Sequence, residues 1–363
     1  MKCIFVIPRM GGGGAERVVS LLANSLAEGG DTVTVLTIVG GESFYPLHPE
    51  VRYESVGASI SKQNALARTV SKALFFPKAL FYILRTLKKE RYDVVISMLT
   101  ECDILVGLCR LLGAKFRHIC SERNDPTKRS KASLAILNRV YQKADVFVCQ
   151  GKRVYNFYHK VPDQVKRIIP NPVDGDTLPQ RPQTLTDTVV AVGRLNKQKN
   201  FPLLIKSFAR VHKEFPQYKL DIYGEGPERA TLQELIGQLG MEQKITLCGA
   251  SKNVKEQIAD AELFVMSSDY EGFPNALLEA MAIGLPVVST DFSTGIASEL
   301  VEQENGLVVP VNDEDALAEA MKSLLSDRER RMKMGGNNRK KCRAYYTPNI
   351  IVQWKSAIEQ ITK

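Results

Sequence analysis

From its second residue the chain alternates short β-branched runs with longer helical ones, and after a proline-rich interruption it starts the same alternation again. Lys2 to Ile7 reads as a strand, followed by a helix from Ala15, strands at 33–38 and 51–56 and a helix within 64–89. A strand at 93–97, a helix from Cys102, a strand at 116–120, a helix at 131–143 and a strand at 145–149 complete the first half. Strands separated by whole helices pair in parallel and need cover on both faces of the sheet. Ile169 to Arg181 holds Pro170, Pro172 and Pro179 and reads as a linker. The grammar restarts with strands at 188–193, 218–222, 244–247, 262–266 and 286–289, and helices at 201–214, 228–239 and 275–283. Helices at 314–345 and 349–361 are more than the second sheet needs. A chain of 363 residues is too long for one compact core. The expected class is therefore α/β, with Rossmann-like, doubly wound domains at 1–171 and 172–345 and a helical remainder at 346–363.

In the second half, Leu263 to Met266 is an apolar strand pattern and Ser267 to Tyr270 a polar turn. The turn opens into Glu271-Gly272-Phe273-Pro274-Asn275-Ala276-Leu277-Leu278-Glu279. Ala276 to Ala282 consists of strong helix formers, stopped by Gly284 and Pro286. Such a junction aims unpaired backbone N–H groups at whatever lies beyond the strand, and the helix dipole favours an anion there. A diphosphate fits, with Gly272, Phe273, Pro274 and Asn275 as its loop. Glu271 precedes the helix and can face a ligand. Glu279 sits about one turn inside it on an apolar segment, where a carboxylate needs donors, and vicinal hydroxyls supply them. As an ordinary helix start, the same residues would be an early-turn acid and a solvated glutamate.

Val189 to Leu195 is a β-branched strand ending in Gly193-Arg194, with Lys199 five residues beyond the arginine. A guanidinium and an ammonium close together at a strand end suit two phosphates and can neutralise a departing diphosphate. Gly11 to Gly14, between the first strand and first helix, lets backbone approach a phosphate, which makes Gly12, Gly13 and Gly14 candidates. The loop lacks the G-x-G-x-x-G spacing with a ribose-binding acid about 20 residues on, which disfavours a nicotinamide dehydrogenase. Asp174-Gly175-Asp176 and Asp313-Glu314-Asp315 match a D-x-D metal pattern, but one lies in the linker and the other opens a helix. No metal is expected.

Taken together, these residues resemble the retaining, GT-B-fold glycosyltransferases of family 4 along essentially the whole chain. The resemblance includes Gly11 to Val18, Ile169-Pro170-Asn171-Pro172-Val173-Asp174, the Arg194 and Lys199 pair, the Glu271 to Glu279 motif, and Glu299 ahead of Asn305-Gly306-Leu307-Val308-Val309. It implies Glu271 by the donor sugar, Glu279 on the ribose, Arg194 and Lys199 on the diphosphate, and Glu299 at the substrate. It also implies a ligand cleft facing both domains and a last helix crossing back to the first domain, with Trp354 as its anchor. More narrowly, the Gly-Gly-Ala-Glu-Arg opening and Gly41-Glu42-Ser43-Phe44-Tyr45 look like bacterial enzymes that add N-acetylgalactosamine or related sugars to polyprenyl-diphosphate-linked glycans. The chain departs from the family after the strand at 116–120, where Ser121-Glu122-Arg123 stands in place of a Ser-x-His. Arg123 could stabilise developing charge there. His118, three residues before Ser121, is either that imidazole in a shifted register or a half-buried strand histidine.

The expected activity is metal-free transfer of a hexose or N-acetylhexosamine from a nucleotide sugar, UDP-GalNAc or UDP-GlcNAc. The acceptor would be a lipid-linked oligosaccharide or a surface-polysaccharide precursor. A non-catalytic partner subunit and a GT-B sugar-nucleotide epimerase or phosphorylase are the alternatives.

Charge divides the chain. Residues 1–172 hold 26 Lys and Arg against 14 Asp and Glu, a net of +12; residues 173–330 hold 15 against 25, a net of −10. Lys62, Arg68, Lys72, Lys78, Arg85, Lys88, Lys89 and Arg91 are interleaved with Leu74, Leu80, Phe81 and Leu84, opposed by Glu90 alone. This suits a helix lying on an anionic membrane, or one packing Leu74, Leu80 and Leu84 inward beneath a solvated basic rim. No nucleic-acid motif accompanies the charge. No run approaches the roughly 20 apolar residues of a membrane span, and the first strand leaves no room for a cleavable signal. A cytoplasmic protein, peripheral on the inner face of the plasma membrane, is expected. Seven cysteines without finger spacing point to neither disulfides nor zinc.

Overall fold

The computed structural model describes residues 1–58 and 65–362, without the side chains of 58 and 65–74. Lys62 and the side chains of Arg68, Lys72 and Leu74 thus lie outside the described residues. The chain divides into two compact units, residues 1–171 with 348–363, and residues 172–347.

Unit 1 has strands β1 (Lys2–Ile7), β2 (Thr32–Val39), β3 (Arg52–Ala58), β4 (Val94–Met98), β5 (Arg117–Ser121), β6 (Val146–Cys149) and β7 (Lys166–Ile168). Its helices are α1 (Gly14–Glu28), α2 (Ala65–Glu90), α3 (Thr100–Leu111), α4 (Lys131–Gln142) and α5 (Lys152–Phe157). The sheet order is β3-β2-β1-β4-β5-β6-β7, all parallel, with Phe5 paired to Val35 on one side and Ile96 on the other. Cys3 to Ile7 are fully buried because helices cover both faces, and so the run is apolar throughout instead of alternating.

Unit 2 has β8 (Thr186–Val192), α6 (Phe201–Glu214), β9 (Lys219–Tyr223), α7 (Arg229–Gln238), β10 (Ile245–Gly249), α8 (Val254–Ile258) and β11 (Ala261–Met266). It continues with α9 (Asn275–Ile283), β12 (Val287–Thr290), α10 (Ile296–Leu300), β13 (Gly306–Val309), α11 (Glu314–Leu325) and α12 (Arg328–Cys342). Its order is β10-β9-β8-β11-β12-β13, again parallel.

The last helix, α13 (Thr347–Thr362), belongs to unit 1. Its Trp354, with no exposed surface, packs in the same core cluster as Val18, Leu22 and Phe5. A buried indole of this size removes about 200 Å² from water, roughly 5 kcal/mol of hydrophobic stabilisation before entropy.

Three expectations change. The helix at 314–345 is two helices, because Asp327 turns its carboxylate back to cap α12, accepting from Arg330 N at 2.9 Å. Short elements without a full period of pattern, namely α5, β7, α8, α10 and β13, were not anticipated. In α2 the buried stripe is Ala79, Ile83 and Leu87, one position off the expected Leu80 and Leu84, which are half-buried; Phe81 stands 68% exposed beside exposed Lys78, Arg85 and Lys88. Among the described residues no helix is long and apolar enough to cross a membrane, and all seven cysteines are free.

Candidate active site

In unit 2 the chain steps outward from β8 to β9 and β10, then returns to lay β11 on the other side of β8. The loops leaving the carboxyl ends of β8 and β11 therefore part in opposite directions, which is where an open α/β sheet forms its crevice. Both sequence motifs fall there. The loop after β8 carries Gly193, Arg194 and Lys199, and the loop after β11 carries Glu271.

Lys199 Nζ lies 2.6 Å from Glu271 Oε1, the same oxygen that accepts Ser268 Oγ–H at 2.7 Å. Gln198 Nε2 donates to Glu271 Oε2 at 3.2 Å and to Tyr270 O at 2.8 Å. Glu271 is buried, and this set of donors offsets the cost of burying its charge. The loops are themselves braced. Thr290 Oγ1 donates to Ser268 O at 2.6 Å, and Ser267 Oγ to Lys199 O at 2.8 Å. Asn196 Oδ1 caps the turn at Lys199 N, 3.2 Å, and Asn200, in left-handed backbone at φ 45°, starts α6.

Close approach here depends on glycine. A Cβ on Gly193 would stand 2.9 Å from Lys199 Cε, and one on Gly224, after β9, 1.9 Å from Gly193 O. Lys199 thus lies along bare backbone. Gly224, Gln198 and Ser268 were missed from sequence; a glycine directly after a strand was the available signal for the first, and the other two carried none.

Arg194 is exposed, and its side chain makes no hydrogen bond or ion pair among the described residues. Its guanidinium is therefore free to meet a ligand. Glu279 is half-buried in α9, four residues after Asn275 and so on the same helix face as the helix's first residue. Gly272 is half-buried, but Phe273 and Pro274 turn inward, Phe273 joining the core beside Leu277. Glu299 sits half-buried in α10, after β12. The D-x-D matches have local roles: Asp174 accepts from Asp176 N and Thr177 Oγ1, and Asp313 caps α11 through Ala316 N.

In unit 1, Gly13 is the N-cap of α1 and Gly14 its first residue. Gly12 and Gly13 are open loop, but a carboxylate is already present, since a Cβ on Gly13 would fall 2.4 Å from Glu16 Oε2. Arg123 is buried at the end of β5, where Nη1 donates to Asn171 Oδ1 at 2.8 Å and the guanidinium lies 5.3 Å from the Trp354 ring. Its Nε and Nη2 have no partner, and burial lowers its pKa to about 10. These orphaned donors leave a buried cation short of acceptors. His118 is fully buried, not half-buried: Nε2 contacts Ser97 Oγ at 2.9 Å, and its backbone N–H donates to Asp145 at 2.9 Å. Burial drives its pKa down to about 3, so the ring is neutral within the core.

The chain matches the family described as Glycosyltransferase Family 4 over residues 12–177 and the family described as Glycosyl transferases group 1 over residues 180–341. It is 27% identical, over 99% of both chains, to a Campylobacter jejuni α-1,4-N-acetyl-D-galactosaminyltransferase whose substrate is an undecaprenyl-diphosphate-linked GalNAc glycan. A second GalNAc-transferase of that organism is 29% identical over 88% of each. Among solved structures, sucrose-phosphate synthase from Thermosynechococcus elongatus superposes with TM-score 0.83 and Anabaena HepE in complex with UDP with 0.82, at 19% and 17% identity and 99% or more of each chain. The chain belongs to the GT-B glycosyltransferases that join a family 4 domain to a group 1 domain, and by class it is a hexosyltransferase.

Proposed function

We propose that this hexosyltransferase moves an N-acetylhexosamine or hexose from UDP-GalNAc or UDP-GlcNAc onto a polyprenyl-diphosphate-linked oligosaccharide or related polysaccharide precursor. The observation that carries the donor reading is the Lys199–Glu271 pair at the sheet's switch point, on the same loop as the exposed Arg194. An ammonium has three donors, and Lys199 gives one to Glu271, leaving others for a phosphate oxygen. Arg194 supplies the second cation and the α9 N-terminus partial positive charge, so the diphosphate is offset by protein groups without a divalent ion. Glu279, near the start of α9, accepts from the ribose hydroxyls, and Glu299 contacts the donor.

Glu271, already accepting from three side chains, is held as a positioning group for the sugar and is unsuited to act as a nucleophile. Retention then follows from front-face exchange, in which the sugar C1–O bond to the diphosphate breaks as the acceptor oxygen bonds to C1. The acceptor's proton passes to the leaving phosphate oxygen. Arg123, with two unpartnered donors, serves charge that develops on the acceptor side.

The acceptor reading is supported by the names of the Campylobacter relatives and by α2, whose exposed Lys78, Phe81, Arg85 and Lys88 suit an anionic inner membrane face. The test is radiolabelled UDP-GalNAc and UDP-GlcNAc, in EDTA, with and without a polyprenyl-diphosphate glycan, followed by sedimentation with anionic vesicles. Label should enter the lipid fraction, and Lys78, Arg85 and Lys88 changed together to Glu should release the protein at low salt. Transfer that needs magnesium rejects the metal-free account, and no transfer from either sugar rejects the donor.

A further inference from the structure

Unit 1 winds outward from β1 to β2 and β3 and returns to lay β4 on the other side of β1, so its own crevice opens beyond β1 and β4. β1 ends in the glycine loop. β4 is followed at once by Leu99, held at φ 74°, a costly backbone for a branched aliphatic residue. The loop after β2 folds over the glycines and is pinned there: Phe44 N donates to Met10 O at 2.9 Å, Tyr45 OH to Gly12 O at 3.3 Å, and Ser43 Oγ to Tyr45 O at 2.6 Å. The Phe44 ring meets Tyr45 edge-on, centroids 5.1 Å apart, and lies 3.5 Å from where a Gly12 Cβ would stand. Braced in this way it is still 66% exposed. Water gains nothing from a fixed aromatic ring.

Around the next glycines the chemistry is polar. Glu16, 9% exposed, brings Oε2 to 2.4 Å from a Gly13 Cβ position and Oε1 to 3.8 Å from that of Gly11, where Arg9 Nε also lies at 3.6 Å. Burial raises the Glu16 pKa and Arg9 opposes the rise. An anion entering the loop would face this carboxylate, which turns the site away from phosphate and toward a neutral polyol. A pyranose has one face of C–H groups, drawn to the negative face of an aromatic ring, and an edge of hydroxyls that can give to a carboxylate and accept from a guanidinium.

We propose that Phe44, Glu16 and Arg9, gathered round Gly11 to Gly13, form a subsite for a neutral pyranose, the terminal sugar of the acceptor glycan. The assignment to an acceptor rests on the transferase reading. Methyl α-N-acetylgalactosaminide and methyl α-glucoside, tested on the full chain by saturation-transfer NMR, probe the subsite without any reaction. The wild type should saturate the C–H face of at least one glycoside. Phe44→Ala should weaken this at least tenfold, Phe44→Tyr should keep it, and UDP affinity should stay within twofold in both. In transfer assays Phe44→Ala should raise the acceptor KM at least tenfold with kcat within threefold, and Glu16→Gln should lower acceptor kcat/KM at least tenfold without altering UDP binding. Equal saturation in wild type and Phe44→Ala overturns the subsite, as does an unchanged acceptor KM in an active Phe44→Ala enzyme. A rise in donor KM alone gives the ring to the donor sugar and overturns the acceptor assignment. A chain that binds glycosides through Phe44 yet transfers nothing supports the subsite while sinking the transferase reading.

Discussion

Unit 1 and unit 2 wind their sheets in the same order, yet at the switch point of unit 2 a lysine and a glutamate are bonded to each other, whereas that of unit 1 holds a glutamate beside open glycines and an exposed ring. The contrast continues below the surface. Unit 1 buries the charged or ionisable side chains of Glu16, Asp103, His118, Glu122, Arg123, Asp125 and Lys166, while unit 2 buries Glu271 and the Arg331–Glu262 pair at 3.0 Å. In unit 2 the charges stand where a ligand would meet them; in unit 1 most serve the fold. Two domains built on one topology thus divide the work by where they spend polar groups, and substitutions in the two should separate into losses of stability and losses of affinity.

The largest effect should come from Glu122→Ala. This buried carboxylate accepts from Arg129 Nη2 at 2.5 Å, Tyr158 OH at 2.7 Å and two backbone N–H groups at 3.1 Å. Removing it strands a half-buried guanidinium and a buried phenol, at a cost of about 3–5 kcal/mol. Chemical denaturation should show this loss, with UDP affinity of the folded fraction unchanged. A loss under 1 kcal/mol would mean that the buried network of unit 1 is not what holds it.

Glu279→Gln tests the opposite behaviour in unit 2. It keeps the size of the side chain and removes a charged acceptor, so nucleotide binding should weaken by about 1.5–3 kcal/mol while the melting temperature barely moves. Calorimetric titration with UDP reads the first and thermal melting the second. Unchanged affinity would assign Glu279 to packing and remove the ribose contact.

Acid should act on unit 1 through His118. Its folded pKa is about 3 against an ordinary value near 6.5, so the unfolded chain takes up a proton that the native core refuses. The stability this contributes is full above pH 6.5 and is lost as pH falls toward 3, about 2 kcal/mol being gone at pH 5. Asp103 works the other way, since burial raises its pKa and penalises folding as pH rises. His118→Gln isolates the histidine, and urea midpoints from pH 7 to pH 5 should fall less in the variant than in the wild type. Parallel curves would show that other groups carry the acid response.

Much of this division was legible in the sequence, for identifiable reasons. Strands such as Cys3 to Ile7 and Leu263 to Met266 are buried on both faces and so announce themselves as apolar runs. Glu271 and Lys199 stood out because each sits at a strand-to-helix junction. Their mutual bond did not, since it joins residues 72 positions apart that only the β8–β11 pairing brings together. Gly224 announced itself only as a glycine directly after a strand, and its role, the approach of another loop's backbone, was hidden for the same reason. His118 was expected half-buried because the strand pattern gives the face a residue points to, and not how closely α3 and α4 flank that face.

The smallest effect separates the glycine loops. Gly13 has extended backbone, φ −90° and ψ 171°, which alanine adopts without strain. Its Cβ would meet the free end of Glu16, 2.4 Å away, and a flexible carboxylate can swing aside. The displaced contact and the entropy removed from the unfolded chain should nearly cancel, leaving stability within about 0.5 kcal/mol of wild type. At Gly224 the obstruction is Gly193 O at 1.9 Å and the backbone sits at φ 150°, so alanine there has nowhere to move and should lower the melting temperature clearly. Thermal melts of Gly13→Ala and Gly224→Ala, run side by side, check the ranking. If Gly13→Ala proves the more damaging, the Glu16 carboxylate is locked on the loop, and unit 1 holds its switch point as rigidly as unit 2 does.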